Sequence, residues 1–89
     1  MKVIYFKDDT WWDDTGELPC YNLYNEQREP IPQNGSCHSI EECWILALFI
    51  ARGLKEEDYS EFYEDKRRWP LEMIQDACLR LGFVVAFLA

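Results

Sequence analysis

Positive charge is scarce in this chain. Only 9 Lys plus Arg stand against 17 Asp plus Glu in 89 residues, a formal charge of -8. A body so acidic repels phosphate backbones and anionic lipid, so neither nucleic acid nor a membrane surface is expected as a direct partner. Glycine is equally sparse, with 4 residues, and none of them forms part of a glycine-rich phosphate loop, a P-loop or a nucleophile elbow. Long apolar runs are missing too. The longest, Cys43 to Ala51, is much too short to cross a bilayer. Met1-Lys2-Val3-Ile4-Tyr5-Phe6-Lys7 is too short an apolar run for a signal peptide and meets Asp8-Asp9 at once, so the expected compartment is the cytoplasm. No internal repeat or low-complexity segment is found.

Apolar and aromatic side chains, by contrast, are plentiful. Hydrophobic residues make up 48% and aromatics 16% of the chain, far above an acidic disordered tail, so the negative charge belongs to a folded body. The length fills a single core, and residues 1–89 are read as one domain.

Four cysteines, Cys20, Cys37, Cys43 and Cys78, are an even number, which in a secreted protein would suggest two disulfides. Without an export signal, and with Cys43 and Cys78 on apolar helix faces, buried reduced thiols are the expectation. Cys20, Cys37, His38 and Cys43 match no compact metal-binding spacing, so neither metal nor other cofactor is expected.

Extended segments come first along the chain. Val3 to Lys7 is β-branched and aromatic. Asp13-Asp14-Thr15-Gly16 is turn chemistry, and Leu18 to Tyr24 resumes an extended run, which together predict an antiparallel hairpin. Pro19 cannot donate to a ladder, so the second strand lies at an edge or pairs only beyond that residue. A short extended piece over 28–31 is also expected.

Three helices follow. Ser39 and Glu42 form a capping box, Gly53 closes the helix, and the segment between is apolar all round, so it must be covered by the sheet, other helices or a partner. A second helix is expected over 56–68, with Tyr59, Phe62 and Tyr63 inward, acids at its start and Lys66-Arg67-Arg68 at its end, as the helix dipole favours. The third opens near Pro70, buries Leu71, Ile74, Ala77, Cys78 and Leu81, and stops at Gly82. Phe83 to Leu88 is almost wholly apolar and is expected to be a central strand beside Val3 to Lys7. The fold class is α+β: a small, mostly antiparallel sheet, made of the N-terminal hairpin and the C-terminal strand, packed on one face by about three helices.

The candidate site is electrostatic. All acids except Glu72 and Asp76 lie between Asp8 and Asp65, where Arg28, Arg52 and Lys55 are the only cations. Glu57, Asp58, Glu61, Glu64 and Asp65 fall on one predicted helix, where carboxylates a turn apart stand about 5–6 Å from one another, close to successive phosphates of a nucleic-acid strand. The plain alternative is a solvated helix face. Asp8, Asp9, Asp13 and Asp14 bracket Trp11-Trp12, neighbours that point to opposite sides of a strand, so at most one can enter the core. An exposed tryptophan ringed by acid has the composition of an interface anchor steered towards a basic surface. His38 and Cys37 are sequence neighbours pointing apart in extended chain and do not make a nucleophile pair, and no enzyme is expected.

In size, acid excess and the run Gly82-Phe83-Val84-Val85 after a helix, the chain resembles small nuclease-inhibiting immunity proteins of the barstar kind. In size and charge alone it resembles phage anti-defence proteins such as anti-CRISPR proteins and uracil-DNA glycosylase inhibitors. These likenesses imply a small acidic inhibitor that blocks the basic nucleic-acid-binding surface of a nuclease or defence complex. The alternative is an accessory subunit held to a partner, or to a second copy, by an apolar helix face or sheet edge.

Overall fold

The N-terminal apolar run finds a strand on each side. In the structure, a computed structural model, residues 1–9, 11–14, 16–18, 20–31 and 37–88 are described, with the backbone alone at 11–13, 17 and 18. Among them the order is β1 (Lys2–Asp8), β2 (Trp11–Asp13), β3 (Gly16–Leu18), β4 (Tyr21–Tyr24), α1 (Ile40–Ala51), a 3-10 turn (Glu56–Asp58), α2 (Tyr59–Lys66), α3 (Leu71–Arg80) and β5 (Phe83–Phe87). The architecture is a small α+β fold with a three-stranded sheet ordered β4-β1-β5. β4 runs antiparallel to β1, and β5 runs parallel to it after the helical crossover.

The expected hairpin forms, with a longer reach than one ladder. Tyr5 faces Tyr24 and Asp8 faces Tyr21 in the main sheet, while Trp11 faces Leu18 and Asp13 faces Gly16 in the two-stranded β2-β3 extension. The Asp9 N–H donates to Cys20 O at 2.8 Å between them, so one antiparallel register runs from Tyr5 to the Asp14 turn. Gly16, at φ 125, supplies backbone freedom at the tip. Pro19 lies outside the described residues, and β4 begins at Tyr21, beyond it. The extended piece expected over 28–31 is not a strand. The chain makes a single bridge, Tyr24 with Pro30, and Ile31 N–H donates to Leu23 O.

Cross-strand partners share a face, so Ile4 and Val85, Phe6 and Leu23 all lie on one side of the sheet. Ile4, Leu23 and Val85 are buried there in one core with α1, Ile74 and Cys78. α1 supplies most of this core: every residue from Cys43 to Phe49 is buried. Burying one such leucine or phenylalanine stabilises by about 1.5–3 kcal/mol. The sheet, α2 and α3 cover most of α1 from within the chain, while Ile40 at its start stays exposed.

Its two ends are fixed locally. Ser39 Oγ accepts the Glu42 N–H at 3.2 Å, but the Glu42 carboxylate takes the N–H of His38, at 2.7 Å, in place of the Ser39 N–H of a standard capping box. At the other end Gly53, at φ 66, donates to Ile50 O and Leu54 donates to Phe49 O, the paired bonds of a Schellman cap.

Two further expectations need correction. β5 pairs with β1 as foreseen but occupies an edge, because β1 takes β4 on its other side; Phe87 is accordingly 59% exposed. Leu81 follows the last turn of α3 and is 45% exposed, while Ile74 and Cys78 carry the buried stripe.

Candidate functional site

The acidic surface is built on the turn and helix that follow α1. Gly53 reverses the chain, Lys55 is extended, and Glu56–Asp58 make a single 3-10 turn that runs directly into α2. The expected single helix over 56–68 is therefore shorter and tighter at its start, and ends at Lys66. Glu57 and Asp58 lie on the 3-10 turn, whereas Glu61, Glu64 and Asp65 lie on α2, so the carboxylates do not follow one α-helical repeat from end to end.

Aromatic packing fixes which way α2 faces. Tyr59 and Phe62 meet the Phe49 ring edge-on at centroid distances of 5.1 and 5.5 Å, and both rings are half-buried. Burial is the main cause that raises the Tyr59 phenol above its ordinary value. With that side inward, Glu56, Glu57, Asp58, Glu61, Glu64 and Asp65 are all exposed. Two of them are held by cations: Arg67 Nε lies 2.8 Å from Glu64 Oε2, and Lys66 Nζ lies 2.7 Å from Asp65 Oδ2. The Lys66 hydrogen bond, reinforced by its charge, keeps the Asp65 carboxyl below the usual carboxylate range. Glu57, Asp58 and Glu61 have no ion pair among the described residues, so their charge is uncompensated at contact range.

Lys66 ends α2, as the charge order of the helix predicts, but unlike Arg67 and Arg68 it is buried. It is 7% exposed, with its ammonium 3.8 Å from the Trp69 ring centroid and 5.3 Å from that of Phe62. A lysine is tolerated at that depth because two ring faces and the Asp65 carboxylate replace lost water. The outward basic group at this end is thereby reduced to Arg67 and Arg68.

The described hairpin acids differ in their surroundings. Asp8 ends β1 and Asp14 sits in the turn, both exposed. Asp9 is engaged within the fold: its Oδ2 accepts from Asn22 Nδ2 at 2.6 Å, and Lys7 Nζ lies 3.9 Å from Oδ1. Trp11, Trp12 and Asp13 have their backbone in β2, and their side chains lie outside the described residues.

Sequence reading missed Glu42 as a junction. Besides the His38 N–H, its carboxylate accepts the Tyr63 hydroxyl at 2.9 Å, tying α2 to the start of α1. That bond raises the Tyr63 phenol above its ordinary value. A glutamate serving its own cap gives no sequence signal of a partner 21 residues away.

All four cysteines are free, and Cys37, Cys43 and Cys78 are buried. The side-chain interaction between Cys43 and Cys37 lowers the Cys37 thiol and, with burial, pushes Cys43 far up. Burial pushes Cys78 up to about 11. Among the described residues no group of three or more His, Cys, Asp or Glu side chains is placed to hold a metal ion, and no helix is long and apolar enough to cross a membrane.

No known protein family, curated protein or solved structure matches this chain.

Proposed function

We propose that this chain is a small acidic inhibitor which binds the basic nucleic-acid-binding surface of an enzyme or complex, of the nuclease or host-defence class, and keeps nucleic acid out. The observation that carries this reading is the exposed, unpaired trio Glu57, Asp58 and Glu61 on a body whose core rings fix its outward side. Carboxylates held outward by packing cost little reorganisation when they meet a basic groove. Their field raises the rate of encounter with such a groove before contact is made. Asp8 and Asp14 extend the acidic surface, and Trp11 or Trp12 supplies an anchor. The working compartment under this reading is the cytoplasm.

The test is affinity capture from nuclease- or CRISPR-bearing lysate, with the captured protein then purified. Its binding to this chain should weaken steeply as salt rises, because screening acts over about 8–10 Å. Nucleic acid and this chain should compete for the purified partner. A partner that binds both at once, or that binds equally at low and high salt, overturns the proposal.

A further inference from the structure

β5 has one occupied edge and one open one. Lys2 N–H donates to Gly82 O at 2.7 Å, and Leu88 N–H donates to Phe6 O at 2.8 Å, which fixes the phase of the parallel ladder with β1. Along a strand the backbone groups of alternate residues point to opposite neighbours. Gly82, Val84, Ala86 and Leu88 therefore turn theirs to β1, and Phe83, Val85 and Phe87 turn theirs away. Among the described residues nothing bonds to that outer row. Val85 is only 7% exposed, so its unpaired N–H and C=O have little water to replace a partner.

Sheets ordinarily protect such an edge with a lysine, a proline, a bulge or a covering loop. The opposite edge of this sheet has that cover, since Cys37 and Pro30 both bridge to β4. β5, Phe-Val-Val-Ala-Phe, has no charge and no proline.

We propose that β5 is a self-pairing strand, through which two copies of this chain join antiparallel about a two-fold axis at Val85, forming a continuous six-stranded sheet. Two observations select a second copy as the occupant. The strand is nearly palindromic about Val85: the axis sets Phe83 opposite Phe87 of the other copy twice, and Val84 opposite Ala86. The outward-facing residues then meet as hydrogen-bonded pairs, each exchanging two bonds. The segment that carries the edge also lacks the acids that would hold two acidic copies apart, because residues 77–89 contain Arg80 and no acid. Phe87, the most exposed core-sized ring on the strand at 59%, loses that exposure in the pair.

The inference is independent of the acidic-inhibitor reading and opposite to it in salt dependence. Screening of the -8 charge on each copy should tighten self-association while it weakens binding to a basic partner. Sedimentation equilibrium of the full chain should show a monomer–dimer equilibrium that shifts to dimer as salt rises. A mixture of isotope-labelled and unlabelled copies should give intermolecular contacts between the Phe83 and Phe87 rings. Phe87→Lys, which places a charge on the edge, should raise the dissociation constant on the order of 10- to 100-fold while circular dichroism remains that of the folded chain. Amide exchange at Val85 gives a readout that needs no variant, with protection rising as protein concentration rises. A parent that stays monomeric at millimolar concentration, a dimer whose intermolecular contacts avoid β5, or Val85 protection independent of concentration overturns the proposal.

Discussion

The ammonium of Lys66 lies 3.8 Å from the centroid of the Trp69 ring, in a residue only 7% exposed. Trp69 packs against the core cluster, so the ring has two roles: it covers apolar surface and it solvates a cation. The charge is an accommodated feature and the ring a structural one. Trp69→Ala should cost about 3–5 kcal/mol, because it opens a void and strips a buried cation of the nearer of its two ring partners. Lys66→Met keeps the stem and removes the charge, and should change stability by less than about 1.5 kcal/mol. Urea unfolding of both variants checks the ordering; equal losses would refute it.

The Tyr63–Glu42 bond predicts an alkaline signature. The folded phenol is raised above its unfolded value, so the stability it contributes is fully present below about pH 10, the ordinary tyrosine value, and is lost as pH rises through the raised folded value. Cys78 adds to this in the same direction, with its contribution lost between about pH 8.5 and its folded value of about 11. Tyr63→Phe should lower stability at neutral pH by about 0.5–1.5 kcal/mol and flatten the decline above pH 10. Stability curves measured with pH for parent and variant compare the two slopes directly.

α1 should be most sensitive at its caps and in its middle. Gly53→Ala meets no neighbour within 4 Å of the new Cβ, so its cost is the left-handed backbone alone, about 1–2 kcal/mol. Ser39→Ala should cost about 0.5–2 kcal/mol by leaving the Glu42 N–H without its acceptor. Leu48→Ala, in a residue with no exposure, should cost about 2–5 kcal/mol. Thermal unfolding followed at the helix band ranks the three.

Reversing Glu57 and Glu61 to Lys separates binding from folding. Both residues are exposed and lack ion-pair partners, so each change should shift stability by no more than about 0.5 kcal/mol. Capture of a basic partner should fall by several kcal/mol, mostly through slower association. Glu64 is left in place because its reversal would also break the Arg67 pair. Undiminished binding of the double variant at low salt would assign this acidic face to solvation.

Elements written by neighbours within a few residues were legible: the Ser39 cap, the Gly53 stop, the Asp13 to Gly16 turn and the apolar strand after Gly82. The candidate stripe was legible only in part. Acids mark an outward face by periodicity, and Tyr59, Phe62 and Tyr63 mark the inward one, yet the 3-10 start was hidden because both helix types accept the same residues over one turn. The burial of Lys66 and the Asp9–Asn22 bond were not legible for a common reason: Trp69 and Asn22 become partners of these charges only by folding.

Composition and local pattern thus determined that this chain makes an acidic α+β fold with reduced, mostly buried thiols and a core-forming first helix. Tertiary structure alone decided that β5 is an edge and not a centre, because a strand's rank depends on how many others find it, which its own residues do not specify. It also decided that Phe87, at the end of that edge, stays exposed. α1, apolar on every side, consumed the burial that the sheet and the other helices had to offer. β5, laid down against β1, was left with one row of hydrogen-bonding groups that nothing among the described residues pairs.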